Sequence, residues 1–256
     1  MNLFYRHVGE GYPMIILHGI FGISDNWLTV SKLFAENGFS VYALDARNHG
    51  QSPRSDEFSY AAMAADLMEF IEQNNLVLPI IIGHSMGGKT VMQFAANYPD
   101  VFSQMIVVDI APKFYPPHHQ HILAGLRAIN LANLQNRNEA DVQLSKFVDE
   151  FGVRQFLLKN LYRTPEGKFE WRINLPILDR EINNISDELT GLGIIEAPVL
   201  FIRGGESSYI QDEDIAMIKR IFPNGIFETI EGAGHWVQAD KPKEFVETVL
   251  KFCTII

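Results

Sequence analysis

Residues 80–90, IIIGHSMGGKT, satisfy two motifs at once, and the choice between them decides both fold and chemistry. Taken as Gly83-x-x-x-x-Gly88-Lys89-Thr90, the stretch is a P-loop: backbone N–H groups cradle phosphates, Lys89 reaches the terminal phosphates and Thr90 binds magnesium. Taken as Gly83-x-Ser85-x-Gly87, it is a nucleophile elbow, a serine on a tight strand-to-helix turn whose glycines let the two elements approach closely. Either motif needs an apolar strand before it and a helix after it, and both are present. The rest of the chain has to separate them.

Working outward, short apolar runs alternate with stretches of helical period: MIILHG (14–19), a helix near 26–37, SVYALD (40–45), a helix near 60–74, PIIIG (79–83), a helix from 85 to about 97, and QMIVVD (104–109). Such alternation predicts an α/β fold with a mostly parallel sheet and helices on both faces. From about 112 to 187 the rhythm stops. HILAGLRAINLANLQ and ADVQLSKFVDEFGVRQFLLKNL have helical character, no convincing strand is present, and the turn TPEGK precedes the mixed segment FEWRINL. The rhythm returns with APVLFIRG (197–204), a helix near 212–221, IFETIEG (226–232) and a closing helix from about 241. The expectation is a sheet domain, 1–111 and 188–256, interrupted by a helical cap at 112–187.

Two further loops lie where a serine hydrolase of this architecture needs them. An early strand ends in His18-Gly19-Ile20-Phe21-Gly22, from which the Ile20 N–H can join that of Met86 as an oxyanion hole. A late strand ends in Glu231-Gly232-Ala233-Gly234-His235-Trp236, which sets His235 on a loop at the carboxyl edge of the sheet, able to take the Ser85 proton and return it to a leaving group. A P-loop gives these loops no role. QMIVVD also has the form of a Walker B strand ending in Asp109, but any buried parallel strand ends in apolar residues before a polar one. A P-loop NTPase is therefore only a remote alternative, and Lys89 and Thr90 become residues of the helix behind Ser85.

Through HGIFGISDNW, DARNHGQSP, GHSMGGK, VVDIAP and GAGHW, nearly the whole chain resembles the α/β-hydrolases, and within them the YbfF-type bacterial esterases and the abhydrolase-domain 11 group. The resemblance implies an eight-stranded, mostly parallel sheet, a helical cap over the site, and hydrolysis of ester or thioester bonds, acyl-CoA among them, without metal or cofactor. It leaves the acid awkward. The usual aspartate position, after the strand that follows the cap, is Ser207 in APVLFIRGGESSYI, with Glu206 beside it. The resembled subgroup carries an aspartate in VVDIAP, so Asp109 is the expected acid, with Ser207 as a supporting hydrogen-bond partner and Glu206 as the alternative. A hydroxyl alone can hold an imidazole tautomer but supplies no charge to an imidazolium. Phe21 and the cap residue Trp171 are the substrate-binding candidates. A slow ligand sensor, or a cofactor-free perhydrolase or lyase, remains compatible with the same fold.

Other features point away from chemistry. A formal net charge of −10 excludes a protein built to wrap nucleic acid or to cling to an anionic membrane. No apolar run reaches the length of a membrane span and the first residues lack a signal-peptide pattern, so a cytoplasmic enzyme, monomeric by default, is expected. Asp45, Arg47 and His49 in LDARNHGQS are assigned to bracing the site. The cluster His118, His119 and His121 has neither nearby carboxylates nor a spacing that puts its imidazoles on one helical face, so no metal site is expected there. The single cysteine, Cys253, is assigned to packing.

Overall fold

The structure, a computed structural model, describes residues 1–117 and 119–253. In chain order its strands are β1 (Tyr5–Val8), β2 (Tyr12–Leu17), β3 (Phe39–Leu44), β4 (Ile80–His84), β5 (Gln104–Val108), β6 (Leu161–Arg163), β7 (Phe169–Trp171), β8 (Val199–Gly204) and β9 (Gly225–Ile230). Its helices are α1 (Leu28–Glu36), α2 (Tyr60–Gln73), α3 (Met86–Asn97), α4 (Gln120–Ala128), α5 (Arg137–Leu144), α6 (Phe151–Leu158), α7 (Leu175–Ser186), α8 (Asp212–Ile221), α9 (Val237–Asp240) and α10 (Pro242–Cys253).

Seven strands form the main sheet, in the order β1-β3-β2-β4-β5-β8-β9, parallel throughout except where β1 meets β3. The resemblance implies eight. Ahead of β1 the chain adds no further ladder: Leu3 enters the core, and Phe4 turns its N–H to Ser52 Oγ at 2.8 Å and its carbonyl to Asp45 N–H at 2.9 Å.

Side chains alternate across the pleat, so each buried strand feeds two apolar layers. Ile15 and Leu17 of β2 join Met105 and Val107 of β5 and Val199 and Phe201 of β8 beneath α2, α3 and α8. Met14 and Ile16 join Ile106, Val108, Leu200 and Ile202 against α1 and α10 on the opposite face. Helix α2 shows why these segments are helical. Ser59 caps it by accepting the Ala62 N–H at 3.2 Å, and Met63, Leu67, Phe70 and Ile71 form one buried stripe at helical spacing. Cys253 ends α10, half-buried against the second layer, where burial pushes its thiol up to about 11.

Between β5 and β8 lie α4 to α7 and the antiparallel hairpin β6–β7, where no strand was expected. Three-residue strands are too short to display a period of two. The turn TPEGK is the hairpin tip, closed by Thr164 N–H to Lys168 O at 2.7 Å and by Gly167 at φ 85°. The stretch expected as one long helical region breaks into α5 and α6, and a further helix, α7, carries the chain back towards the sheet. The apolar faces of these elements form a third cluster that also contains Ile20, Phe21 and Met86.

Candidate active site

The elbow is built by backbone crowding. Ser85 stands between β4 and α3 at φ 53° and ψ −116°, with its N–H held by Val108 O at 3.0 Å. A Cβ on Gly83 would collide with the Gly87 carbonyl, and one on Gly87 with the Leu17 carbonyl. At Gly19 it would come within 3.1 Å of Ser85 Cβ, which shows how closely the early loop abuts the serine. Glycine is required at 83 and 87, where the clash is with backbone, and is favoured at 19.

The same geometry removes the phosphate cradle. Lys89 is 1% exposed, and its Nζ donates to the Asp187 carbonyl at 2.5 Å. Thr90 Oγ1 donates back to Met86 O at 2.9 Å inside its own helix. Both groups that a P-loop would turn to phosphate and magnesium are committed within the fold.

His235, Asp109 and Ser207 arrive from three separate strand ends. Asp109 follows β5 at φ 50°, fully buried, with its N–H on Ile202 O at 2.7 Å. Its Oδ1 accepts the Gly204 N–H at 3.1 Å; its Oδ2 accepts His235 Nδ1–H at 2.7 Å and the Ser207 hydroxyl. With Nδ1 protonated against a carboxylate, Nε2 is left as the lone-pair nitrogen, the state that a general base needs. Glu206, one residue from Ser207, is exposed, and its N–H pairs with Ala233 O at 2.9 Å. The structure thus brings Asp109 and Ser207 to His235 and leaves the Glu206 side chain outside.

Two residues at this junction carried no sequence signal of their own. His84 occupies the variable position before the serine, where nothing in the motif specifies a histidine. Its Nε2–H donates to the His235 carbonyl at 2.8 Å and its ring lies 4.7 Å from that of His235. Burial, followed by the neighbouring His235, holds the His84 pKa well below the ordinary value, so this ring is neutral. Tyr209 stacks on His235 as well, with ring centroids 3.8 Å apart and planes 15° from parallel.

The early loop is aimed by two imidazoles. His18 Nδ1–H donates to the Gly19 carbonyl at 2.8 Å, while its Nε2 accepts the Ala46 N–H at 3.0 Å. Gly22 N–H binds that same Gly19 carbonyl at 2.9 Å. A trans peptide points its N–H opposite to its C=O, so pinning Gly19 O from two sides directs the Ile20 N–H the other way. Phe21, at φ 60°, gives its own N–H to His49 Nε2 at 3.2 Å, and His49 Nδ1–H is fixed by Arg47 O at 3.0 Å. Burial and the neighbouring His18 bring His49 down to about 3, and burial likewise lowers His18, so both rings accept as neutral groups. Asp45 and Arg47 complete the brace. Asp45 accepts Ser24 and Gln51 N–H groups at 2.6 and 2.8 Å, and Arg47 forks onto Asp66 at 2.6 and 2.9 Å.

Met86 is the first residue of α3, so its N–H has no partner within the helix and sits at the positive end of the helix dipole. Phe21 and Trp171 are both buried in the apolar cluster that also holds Ile20 and Met86. The Phe21 carbonyl accepts Asn160 Nδ2–H at 2.7 Å, and the Trp171 carbonyl accepts Arg54 at 3.0 Å. Of the histidine cluster, His118 lies outside the described residues, His119 approaches the Phe21 ring at 5.9 Å, and His121 is on α4.

A serine on a strand-to-helix elbow and an imidazole oriented by a buried carboxylate are parts that acyl transfer uses. A family model described as alpha/beta hydrolase fold matches residues 12–242, and the chain belongs to that family. The sn-1-specific diacylglycerol lipase ABHD11 of Mus musculus is 40% identical over 93% of this chain and 80% of its own length. Esterase YbfF of Escherichia coli (strain K12) is 35% identical over 94% of this chain and 92% of its own. Among solved structures, a marine microorganism esterase superposes with a TM-score of 0.95 at 44% identity, covering 98% of both chains.

Proposed function

We propose that the chain is a serine hydrolase that cleaves carboxylic esters, and by the same route thioesters, through an acyl-enzyme. Carboxylic ester hydrolysis is the activity of the enzyme, supported by relatives named esterase and lipase at 35–44% identity. Ser85 attacks the acyl carbonyl; His235 Nε2 takes its proton and then protonates the leaving alcohol or thiol. Asp109 orients the imidazole and stabilises its cation, and the Ser207 hydroxyl supports Asp109. The N–H groups of Met86 and Ile20 receive the tetrahedral oxyanion. Water then repeats the sequence to release the acid.

The observation that carries this assignment is the 2.7 Å contact between His235 Nδ1 and a fully buried Asp109 carboxylate, set beside a serine at φ 53°. Residues 112–187 act as a cap over the acyl group, which the apolar cluster joining α4, α6 and α7 to Phe21 and Met86 supports. Phe156 of α6 also packs 5.5 Å from Trp236, next to His235. Phe21 and Trp171 belong to the wall of this acyl site. Among the described residues no helix is long and apolar enough to cross a membrane.

An organofluorophosphonate probe followed by peptide mapping tests the assignment. Ser85 should carry the label, Ser85→Ala should take none, and label at Ser207 or Ser208 would overturn it. Saturable, Lys89-dependent ATP or GTP binding would restore the nucleotide alternative.

A further inference from the structure

The lysine that made residues 80–90 resemble a P-loop is used for something else. Lys89 lies one helical turn after Ser85, about 6 Å along α3, and is 1% exposed. An ammonium out of water needs compensating partners. Lys89 finds the Asp187 carbonyl at 2.5 Å and the Ser186 carbonyl at 3.5 Å, and lies over the rings of Tyr115 at 5.1 Å and Tyr60 at 5.7 Å. Burial outweighs the attraction of Asp187 and Glu188 and pulls its pKa down to about 8.

These carbonyls sit at the C-terminal end of α7, where a helix leaves its last C=O groups unpaired and carries partial negative charge. Three consecutive carbonyls there are taken by the sheet domain. Tyr60 Oη–H donates to Ile185 O at 2.7 Å, Tyr115 N–H to Ser186 O at 2.9 Å, and Lys89 to Asp187 O. The other face of α7 presents Leu175, Leu178, Ile182 and Ile185 to the cluster that holds Ile20, Phe21 and Met86. One turn of α3 therefore separates the candidate nucleophile from the group that fixes the end of this apolar wall.

We propose that Lys89 is a specificity-positioning residue: by clamping the C-terminus of α7, it fixes the distance between the acyl-site wall and Ser85 and so selects the acyl chain length. This rests on the serine hydrolase assignment. Nothing in it requires Lys89 to touch substrate. The clamp differs from general packing because an apolar side chain of similar size in place of a buried charge is often neutral for global stability, whereas the bond to a helix end is directional.

The test compares wild type, Lys89→Met and Tyr60→Phe on p-nitrophenyl acetate, butyrate, octanoate and laurate, with melting temperature and the fluorophosphonate labelling rate of Ser85 measured on each. In Lys89→Met the ratio of kcat/KM between best and worst chain lengths should shrink about tenfold, the scale of one lost charged hydrogen bond. The change should lie mainly in KM, with labelling rate and melting temperature held. Tyr60→Phe, which removes the neighbouring clamp bond, should move the profile in the same direction by less, and it carries the test if Lys89→Met does not fold. An unchanged chain-length profile, or an equal fall on every ester with a lowered melting temperature, would overturn the proposal. Absence of Ser85 labelling in the wild type would instead remove the hydrolase assignment on which it stands.

Discussion

Asp109 and His235 meet through a single carboxylate oxygen: Oδ2 accepts both His235 Nδ1–H at 2.7 Å and the Ser207 hydroxyl, while Oδ1 is held by Gly204 N–H. Both carboxylate oxygens are thereby hydrogen-bonded, to an imidazole, a hydroxyl and a backbone N–H. After β8, where the resemblance expects a carboxylate, stands Ser207, and the carboxylate that faces His235 is Asp109, at the end of the adjacent β5.

Asp109→Asn should keep the fold and lower kcat by several orders of magnitude, about 10⁴ on the precedent of the serine-protease triad. Glu206→Gln should stay near wild type. Ser207→Ala should fall between, about tenfold or somewhat more, since a hydrogen bond to a charged carboxylate is worth about 1.5 kcal/mol or more. Steady-state kinetics on one short ester, with circular dichroism for the fold, decides; a crippled Glu206→Gln beside an active Asp109→Asn would sink the assignment of the acid.

The two-sided grip on the Gly19 carbonyl predicts that His18 acts through a peptide plane. His18→Asn can retain a donor near the Nδ1 position, whereas His18→Gln places its amide nearer Nε2. Gln should therefore lose more kcat than Asn, about ten- to a hundredfold, which is less than the 10²–10³ of deleting an oxyanion donor outright. The ratio of activity on an ester to that on its thionoester should fall in parallel. Equal losses in the two variants with that ratio unchanged would mean that His18 only fills space.

Acid should destabilise the protein through its buried neutral imidazoles. His49 stands at about 3 in the folded chain against about 6.5 when unfolded, so between these values the unfolded state binds the extra proton. Its contribution is complete above pH 6.5 and is lost as pH falls towards 3, at a slope of up to about 1.4 kcal/mol per pH unit. His18 and His84 are shifted in the same direction. Urea unfolding at pH 7, 6, 5 and 4 should show a shallower pH slope for His49→Gln than for wild type.

Limited trypsin digestion should cut first at the hairpin tip. Residues 165–168 are exposed there, and Gly167 turns the chain at φ 85°. Mass spectrometry should find the cut after Arg163 or Lys168, and the nicked protein should lose long-chain ester hydrolysis before acetate hydrolysis. Equal loss across chain lengths would argue against residues 112–187 acting as a cap.

The strands that were legible in the sequence are those buried on both faces. MIILHG, PIIIG and QMIVVD read as apolar runs because β2, β4 and β5 have helices above and below. Strand β1, YRHV, alternates between exposed and half-buried positions at the sheet edge, and so carries no apolar run. The residues proposed for chemistry were legible because each sits at a strand end with a recognisable loop. His84 was not, since its role depends on a carbonyl 151 residues away. Nor was the proposed clamp of Lys89, whose hydrogen-bond partners are backbone carbonyls and leave no side-chain signature.

Ser85 and Asp109, at φ 53° and 50°, follow neighbouring strands and stand in backbone conformations that only glycine adopts without cost. Such residues cost about 1–3 kcal/mol each and persist because the surrounding core holds them there. Ser85→Gly would relieve the first of these, and even after the entropy that glycine restores to the unfolded chain, about 0.5–1 kcal/mol, it should raise the melting temperature. Selection for heat resistance alone would then remove the proposed nucleophile, so a thermostabilised variant of this protein has to be screened for turnover at every round.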